Sequence, residues 1–190
     1  MAGSSTAESP PDQARFYFDF ASPEAYLAAE QVNAALGEVP EWVPVALGPP
    51  AFRCAAEIDA YQEDVQRRAR ALELQVIRWP PDWGGGDEIS TDWALLAATY
   101  AKSIGRAVAF SLAAFRQAYA GGRDLSERDN VLIAAAACEM HPLAVIKGAE
   151  LRGTREKLER ATAQARAAGV RSVPALVTPD GRVDDLAALR

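Results

Sequence analysis

Histidine and cysteine are scarce in this chain of 190 residues, which has one histidine, His141, and two cysteines, Cys54 and Cys138. A single histidine excludes the common multi-histidine metal sites, and no metal is expected. Each cysteine lies in alanine-rich surroundings far from the other and is read as a buried free thiol, because an unpaired cysteine behaves as a small hydrophobe. His141 precedes Pro142 in an interhelical turn, a place for a surface or capping residue, and this argues against a Ser-His-Asp hydrolase. No apolar run approaches the roughly 20 residues that span a bilayer. Positive charge is also short, with 20 Lys and Arg against 26 Asp and Glu and a net charge of −6. That balance argues against nucleic acid or anionic membrane as main partners. Residues 1–14 are small, polar and proline-containing without a hydrophobic segment, so they read as a disordered leader rather than a secretion signal, and a cytoplasmic location is expected.

With 49% apolar and 24% charged residues, the chain has the composition of a globular protein of one compact unit. Its most organised stretch is Phe16-Tyr-Phe-Asp-Phe-Ala-Ser-Pro-Glu-Ala-Tyr26. The aromatic start reads as a short buried strand, and Ser22-Pro23-Glu24 as a helix N-cap, first helical residue and first-turn acid. A helix N-terminus gathers unsatisfied N–H groups and positive dipole, so an anion or thiolate beside Ser22 would be stabilised. The same three residues also open many helices that do no chemistry.

The pattern predicts a helix from Pro23 to Leu36 stopped by Gly37, and a strand over Glu41 to Ala46 with Pro44 at an edge or end. Strand, helix and strand within about 30 residues suggest a parallel βαβ unit. Residues 51–150 carry successive helical patterns, including one led by Ile58, Tyr61 and Val65 and another opening at a Ser126 cap. They are broken by a loop, Trp79-Pro-Pro-Asp-Trp-Gly-Gly-Gly-Asp-Glu88, whose Trp79 and Trp83 either cover an apolar ligand or anchor the loop. A helix from Leu151 to Ala168 follows, then a strand over Arg171 to Thr178 around Pro174, a turn at Pro179 to Arg182 and a short second strand. A stub of terminal helix is expected over Asp184 to Arg190. A proline directly before an apolar strand makes Val173–Pro174 the candidate for a cis bond. The expected architecture is α/β: a thioredoxin-like domain from residues 15–50 and 151–190, with a large all-helical insertion over 51–150.

Three motifs carry a family resemblance across residues 15–190. Phe16 to Leu27, Gly122-Arg-Asp-Leu-Ser126 and Ala168-Gly-Val-Arg-Ser-Val-Pro-Ala175 are similar to segments of the DsbA-like thioredoxin superfamily, in the branch of 2-hydroxychromene-2-carboxylate isomerases and kappa-class glutathione transferases. The oxidoreductases of that superfamily carry Cys-x-x-Cys where this chain has Ser22-Pro-Glu-Ala25, so cycling of a dithiol there is excluded. In the isomerase branch the serine hydroxyl bonds the sulfur of glutathione. The resemblance therefore implies that glutathione, or another low-molecular-weight thiol, is held by Ser22, Pro23, Val173, Pro174 and Asp185. Val173 would pair its backbone with the cysteinyl part. Tyr26, Trp79 and Trp83 would shape a pocket for an aromatic or conjugated small-molecule substrate, and a homodimer is compatible with the resemblance. The sequence departs from the branch at Glu88-Ile-Ser-Thr91, which lacks an asparagine, and at Asp180 to Leu186, which lacks an aromatic-glycine stretch.

These features support a thiol-dependent isomerase or transferase using Ser22. A second reading is a non-catalytic module that holds a peptide or partner at the Val173–Pro174 edge. A third, a redox enzyme working through Cys54 or Cys138, requires one of those thiols near Ser22.

Overall fold

The computed structural model describes residues 13–81, 83–84 and 90–186. The elements run in the order β1 (Arg15–Phe18), α1 (Pro23–Leu36), β2 (Glu41–Pro44), α2 (Ala55–Ala71), α3 (Asp92–Ser103), α4 (Ala107–Phe115), α5 (Arg128–Ala137), α6 (Pro142–Glu150), α7 (Arg152–Ala167), β3 (Ala175–Val177) and β4 (Val183–Asp185). The strands form one mixed sheet in the order β2-β1-β3-β4, with β2 parallel to β1 and β3 and β4 antiparallel to their neighbours. This is the βαβ unit, helical interlude and returning ββ pair that the hydrophobic pattern predicts. Residues 1–12 of the leader lie outside the described residues, as do residues 82 and 85–88 of the glycine-rich loop and residues 187–190 of the expected terminal helix.

Alternation along β1 divides the core, because successive strand side chains point to opposite faces. Phe16 and Phe18 turn toward the helical side, where Phe16 meets Trp42 edge to face at 4.9 Å and Phe18 meets Phe115 at 5.7 Å. Tyr17 turns the other way, with Val43, Ala175 and Val177, against Ala161 and Ala165 of α7. Each fully buried phenylalanine contributes on the order of 2–3 kcal/mol. At the sheet edge, Glu41 N donates to Ala14 O, just before β1, and Val45 N to Phe18 O. The alternate residue Pro44 therefore occupies an outward position where an N–H would have no partner, a device that blunts an open edge.

Several boundaries differ from the sequence reading. β2 ends at Pro44 and β3 is confined to Ala175–Val177, the residues in register with their neighbouring strands. The second strand runs Val183–Asp185, so residues 184 and 185 are extended rather than the start of a helix. Glu127, not Ser126, occupies the N-cap position of α5, without a side-chain bond to the helix, and Ser126 bonds back to the carboxylate of Asp124. Cys138 is buried, but Cys54 is exposed at the start of α2, which corrects its assignment to the core. His141 caps α6, its Nδ1 accepting from Leu143 N at 3.2 Å. A π-helical turn, Arg116–Ala120, extends α4, closed by Gly121 N donating to Arg116 O at 2.8 Å.

Candidate functional site

Ser22 sits where β1 gives way to α1, with extended backbone and its hydroxyl as the N-cap, accepting from Ala25 N at 3.1 Å. The hydroxyl proton is directed across the fold to the carbonyl of Val173 at 3.2 Å. Ser22 is 2% exposed. The Val173–Pro174 peptide bond is cis, and the Pro174 carbonyl accepts from Leu186 N at 3.1 Å, so residues 173–174 are held between the start of α1 and the end of β4. Pro23 is buried as the first residue of α1, as its fixed φ and missing N–H favour. Four of the residues expected to hold a thiol, Ser22, Pro23, Val173 and Pro174, therefore come together. Asp185 lies on β4 opposite Ala175 and acts electrostatically on Glu24, which places it near the same helix start.

Glu24 makes this corner unusual. Its carboxyl is raised above the ordinary range by burial and by the charge of Asp185, while Tyr61 and the Arg68 guanidinium, at 3.4 Å, pull it back. The Tyr61 hydroxyl faces Glu24 without reaching full hydrogen-bond geometry, and burial beside that carboxylate pushes the phenol far above its usual range.

Beneath the turn is Asp19, 1% exposed. One carboxylate oxygen accepts from Ala21 N and Thr91 Oγ1, both at 3.0 Å. The other accepts from Leu47 N at 3.0 Å and Gly48 N at 2.9 Å. Burial raises this carboxyl and its hydrogen bonds oppose the rise. Four donors satisfy a group that would otherwise be costly inside the protein. Asp19 thus ties three separate segments together: the β1–α1 turn, the chain after β2 and the approach to α3.

Those segments bound a cavity of about 390 Å³. Its wall includes Phe20, Phe52, Trp83, Thr91, Tyr119 and Arg123, with a run of small and proline residues from Leu47 to Ala51. The π-helical turn delivers Tyr119, whose hydroxyl donates to Phe20 O at 2.8 Å. Its phenol is pushed well up by burial and by nearby Asp19. Arg123 is the one charged side chain on the wall among the described residues. An apolar wall with a few placed polar groups suits a small aromatic molecule.

Of the expected pocket residues, Trp83 is on the wall, stacked on Tyr61 at 5.5 Å. Trp79 packs behind it at 4.7 Å, and Tyr26 stacks on Tyr119 at 5.7 Å from outside the cavity. The Ser22 hydroxyl does not line the cavity; the wall reaches Ala21 and stops one residue short of it. Sequence reasoning missed Asp19, Thr91, Tyr119 and Arg123. A lone carboxylate inside Phe16-Tyr-Phe-Asp-Phe20 was the available signal, since such a group must find donors. Neither thiol lines the cavity: Cys54 is at the solvent-exposed start of α2, and Cys138 at the end of α5, with its thiol raised by burial.

No curated protein matches the chain in sequence. Among solved structures, it is similar to 2-hydroxychromene-2-carboxylate isomerase, with a TM-score of 0.78 and 18% identity over 90% of this chain and 87% of that one. It is similar to a "probable DsbA oxidoreductase" from Streptomyces coelicolor, with a TM-score of 0.74 and 18% identity over 90% and 82% of the two chains. The cytosolic disulfide reductase DsbM from Pseudomonas aeruginosa, solved with GSH, follows with a TM-score of 0.60 and 17% identity over 90% and 87%. At these identities the likeness is one of fold. A family model, the DSBA-like thioredoxin domain, matches residues 13–189, and the chain belongs to that family.

Proposed function

We propose that this DsbA-family protein is a glutathione-dependent isomerase or transferase acting on an aromatic or conjugated small molecule, with a reaction like that of 2-hydroxychromene-2-carboxylate isomerase. The observation that carries this reading is the pairing of Ser22, at the N-terminus of α1 and bonded to Val173 O, with an aromatic cavity built on the same β1–α1 turn. Ser22-Pro-Glu-Ala25 has no cysteine to cycle, so the corner serves a thiol brought from outside. DsbM, a neighbour in fold, has been seen with GSH.

The residues fit such a thiol. At 3.2 Å the bond from Ser22 Oγ to Val173 O is long for a hydroxyl donor, so little is lost when the hydroxyl rotates to donate to a sulfur instead. The cap bond from Ala25 N can persist through that rotation. The free N–H groups and dipole at the start of α1 favour a negative charge there, and Arg68 offsets the opposing charge of Glu24. Bound glutathione supplies the sulfur nucleophile that adds to the conjugated system and later leaves it. Trp83, Phe52 and Tyr119 hold the flat face of the substrate and exclude water. A reducing compartment, in which thiols stay free, suits this chemistry.

Titration calorimetry tests the reading. Saturable glutathione binding is expected, weakened by Ser22→Ala, and no heat at millimolar glutathione would sink it. One observation favours a second reading, a non-catalytic module holding a peptide at residues 173–174: the Ser22 hydroxyl is already engaged on both sides within the fold. Capture of a peptide with no response to any thiol is the outcome that selects it.

A further inference from the structure

A second depression, of about 320 Å³, lies at the open edge of the sheet, away from Ser22 and the aromatic cavity. β2 supplies Val43 and Pro44, α3 supplies Lys102, and α7 supplies Lys157, Arg160 and Ala161. In a chain of net charge −6 the concentration of cations here needs a cause. Residues 157, 160 and 161 fall at helical spacings of three and four, so one face of α7 presents two cations beside a small apolar residue.

The acids of the neighbourhood do not neutralise them. Glu156 pairs with Arg152 at 2.7 Å and Glu150 with Arg128 at 3.0 Å, while Glu159 lines a different depression with Arg155 and Arg166. Lys157 and Arg160 have no ion pair among the described residues. Across the groove, Lys102 Nζ meets Glu41 Oε1 at 2.8 Å, but the other oxygen of Glu41 is taken by Arg15 Nε at 2.8 Å. One carboxylate thus serves two cations and leaves the cluster positive. Pro44 presents no N–H at this edge, so a β-strand cannot add there through a complete ladder, and a compact ligand fits better than an extended peptide.

We infer that this depression binds a small phosphomonoester, its phosphate between Lys157, Arg160 and Lys102 and its organic group against Val43, Pro44 and Ala161. Two free cations and a half-neutralised third match a dianion, and a planar guanidinium suits phosphate oxygens. The volume accommodates a small phosphate ester.

Calorimetry with phenyl phosphate at low ionic strength tests this. Saturable binding is expected, weaker at about 0.15 M salt through screening, and about tenfold weaker in Lys157→Gln or Arg160→Gln. Both side chains are exposed, so these variants keep the fold. Arg70→Gln removes the same charge from α2, outside the groove, and should leave binding unchanged. The inference fails if no saturable heat appears, if Arg70→Gln weakens binding as much as Arg160→Gln, or if the monoanion phenyl sulfate binds equally well. Sedimentation with phosphatidic acid vesicles, without a response to phenyl phosphate, would overturn it in favour of a lipid headgroup.

Discussion

Asp19 and Ser22 stand three residues apart on one turn and take opposite parts in it. Asp19 accepts four hydrogen bonds and holds the cavity wall, whereas Ser22 makes two bonds, one of them long enough to be exchanged. In Asp19→Asn only one side of the new amide can accept, and its NH₂ faces two donors. The variant should lose about 3 kcal/mol, since bonds to a charged group count for more than neutral ones. Urea denaturation measures this, and an unchanged midpoint would show that the four contacts add nothing net. Cavity binding should weaken together with stability, because Ala21, Leu47, Gly48 and Thr91 all lose their common anchor. The sequence places this carboxylate among aromatic residues. It did not show the donors, which come from residues up to 72 positions away.

Elements were more legible than their joints. The helices stand where apolar residues recur at spacings of three and four, and β1 where aromatic residues alternate, because those periods decide which side chains share a face. The π-helical turn after α4 had no such signature: its residues continue the helical pattern, and only packing of Tyr119 against Phe20 and Trp79 marks the irregularity. Strand β2 is secured from both sides through Glu41, which joins Arg15 of β1 to Lys102 of α3. Burial raises the Glu41 carboxyl, but the two cations outweigh it and hold the group below its ordinary value of 4.5. A carboxyl depressed in the folded state adds stability above its unfolded value and loses it as the pH falls through the folded one. The stability gap between wild type and Glu41→Gln should therefore be present at neutral pH and close as the pH falls below 4.5. Partial exposure limits that gap to at most about 1 kcal/mol. Thermal melts across that range check it, and a gap that widened in acid would contradict the ion pairs.

Across the whole molecule, the two cysteines are free and stand in different environments, one exposed at the start of α2 and the other buried at the end of α5. Native protein should label quickly at one thiol with an aromatic disulfide reagent, reach the second only on unfolding, and show no turnover in insulin reduction. Fast labelling of both would place Cys138 within reach of solvent, contrary to its burial. The sequence by itself determined the order of elements, the serine at the start of α1, the absence of a dithiol there and the resemblance to the DsbA family, because each is written in adjacent residues or in a short-range period. Tertiary structure alone decided that Ser22 bonds to Val173, that Trp83 rather than Trp79 or Tyr26 faces the cavity, that Asp19 anchors its wall and that the cations of α7 meet Lys102 beside β2. Those facts depend on how the helices between β2 and β3 pack back on the sheet. Local periodicity sets which face of each helix is buried but not which distant residue it meets.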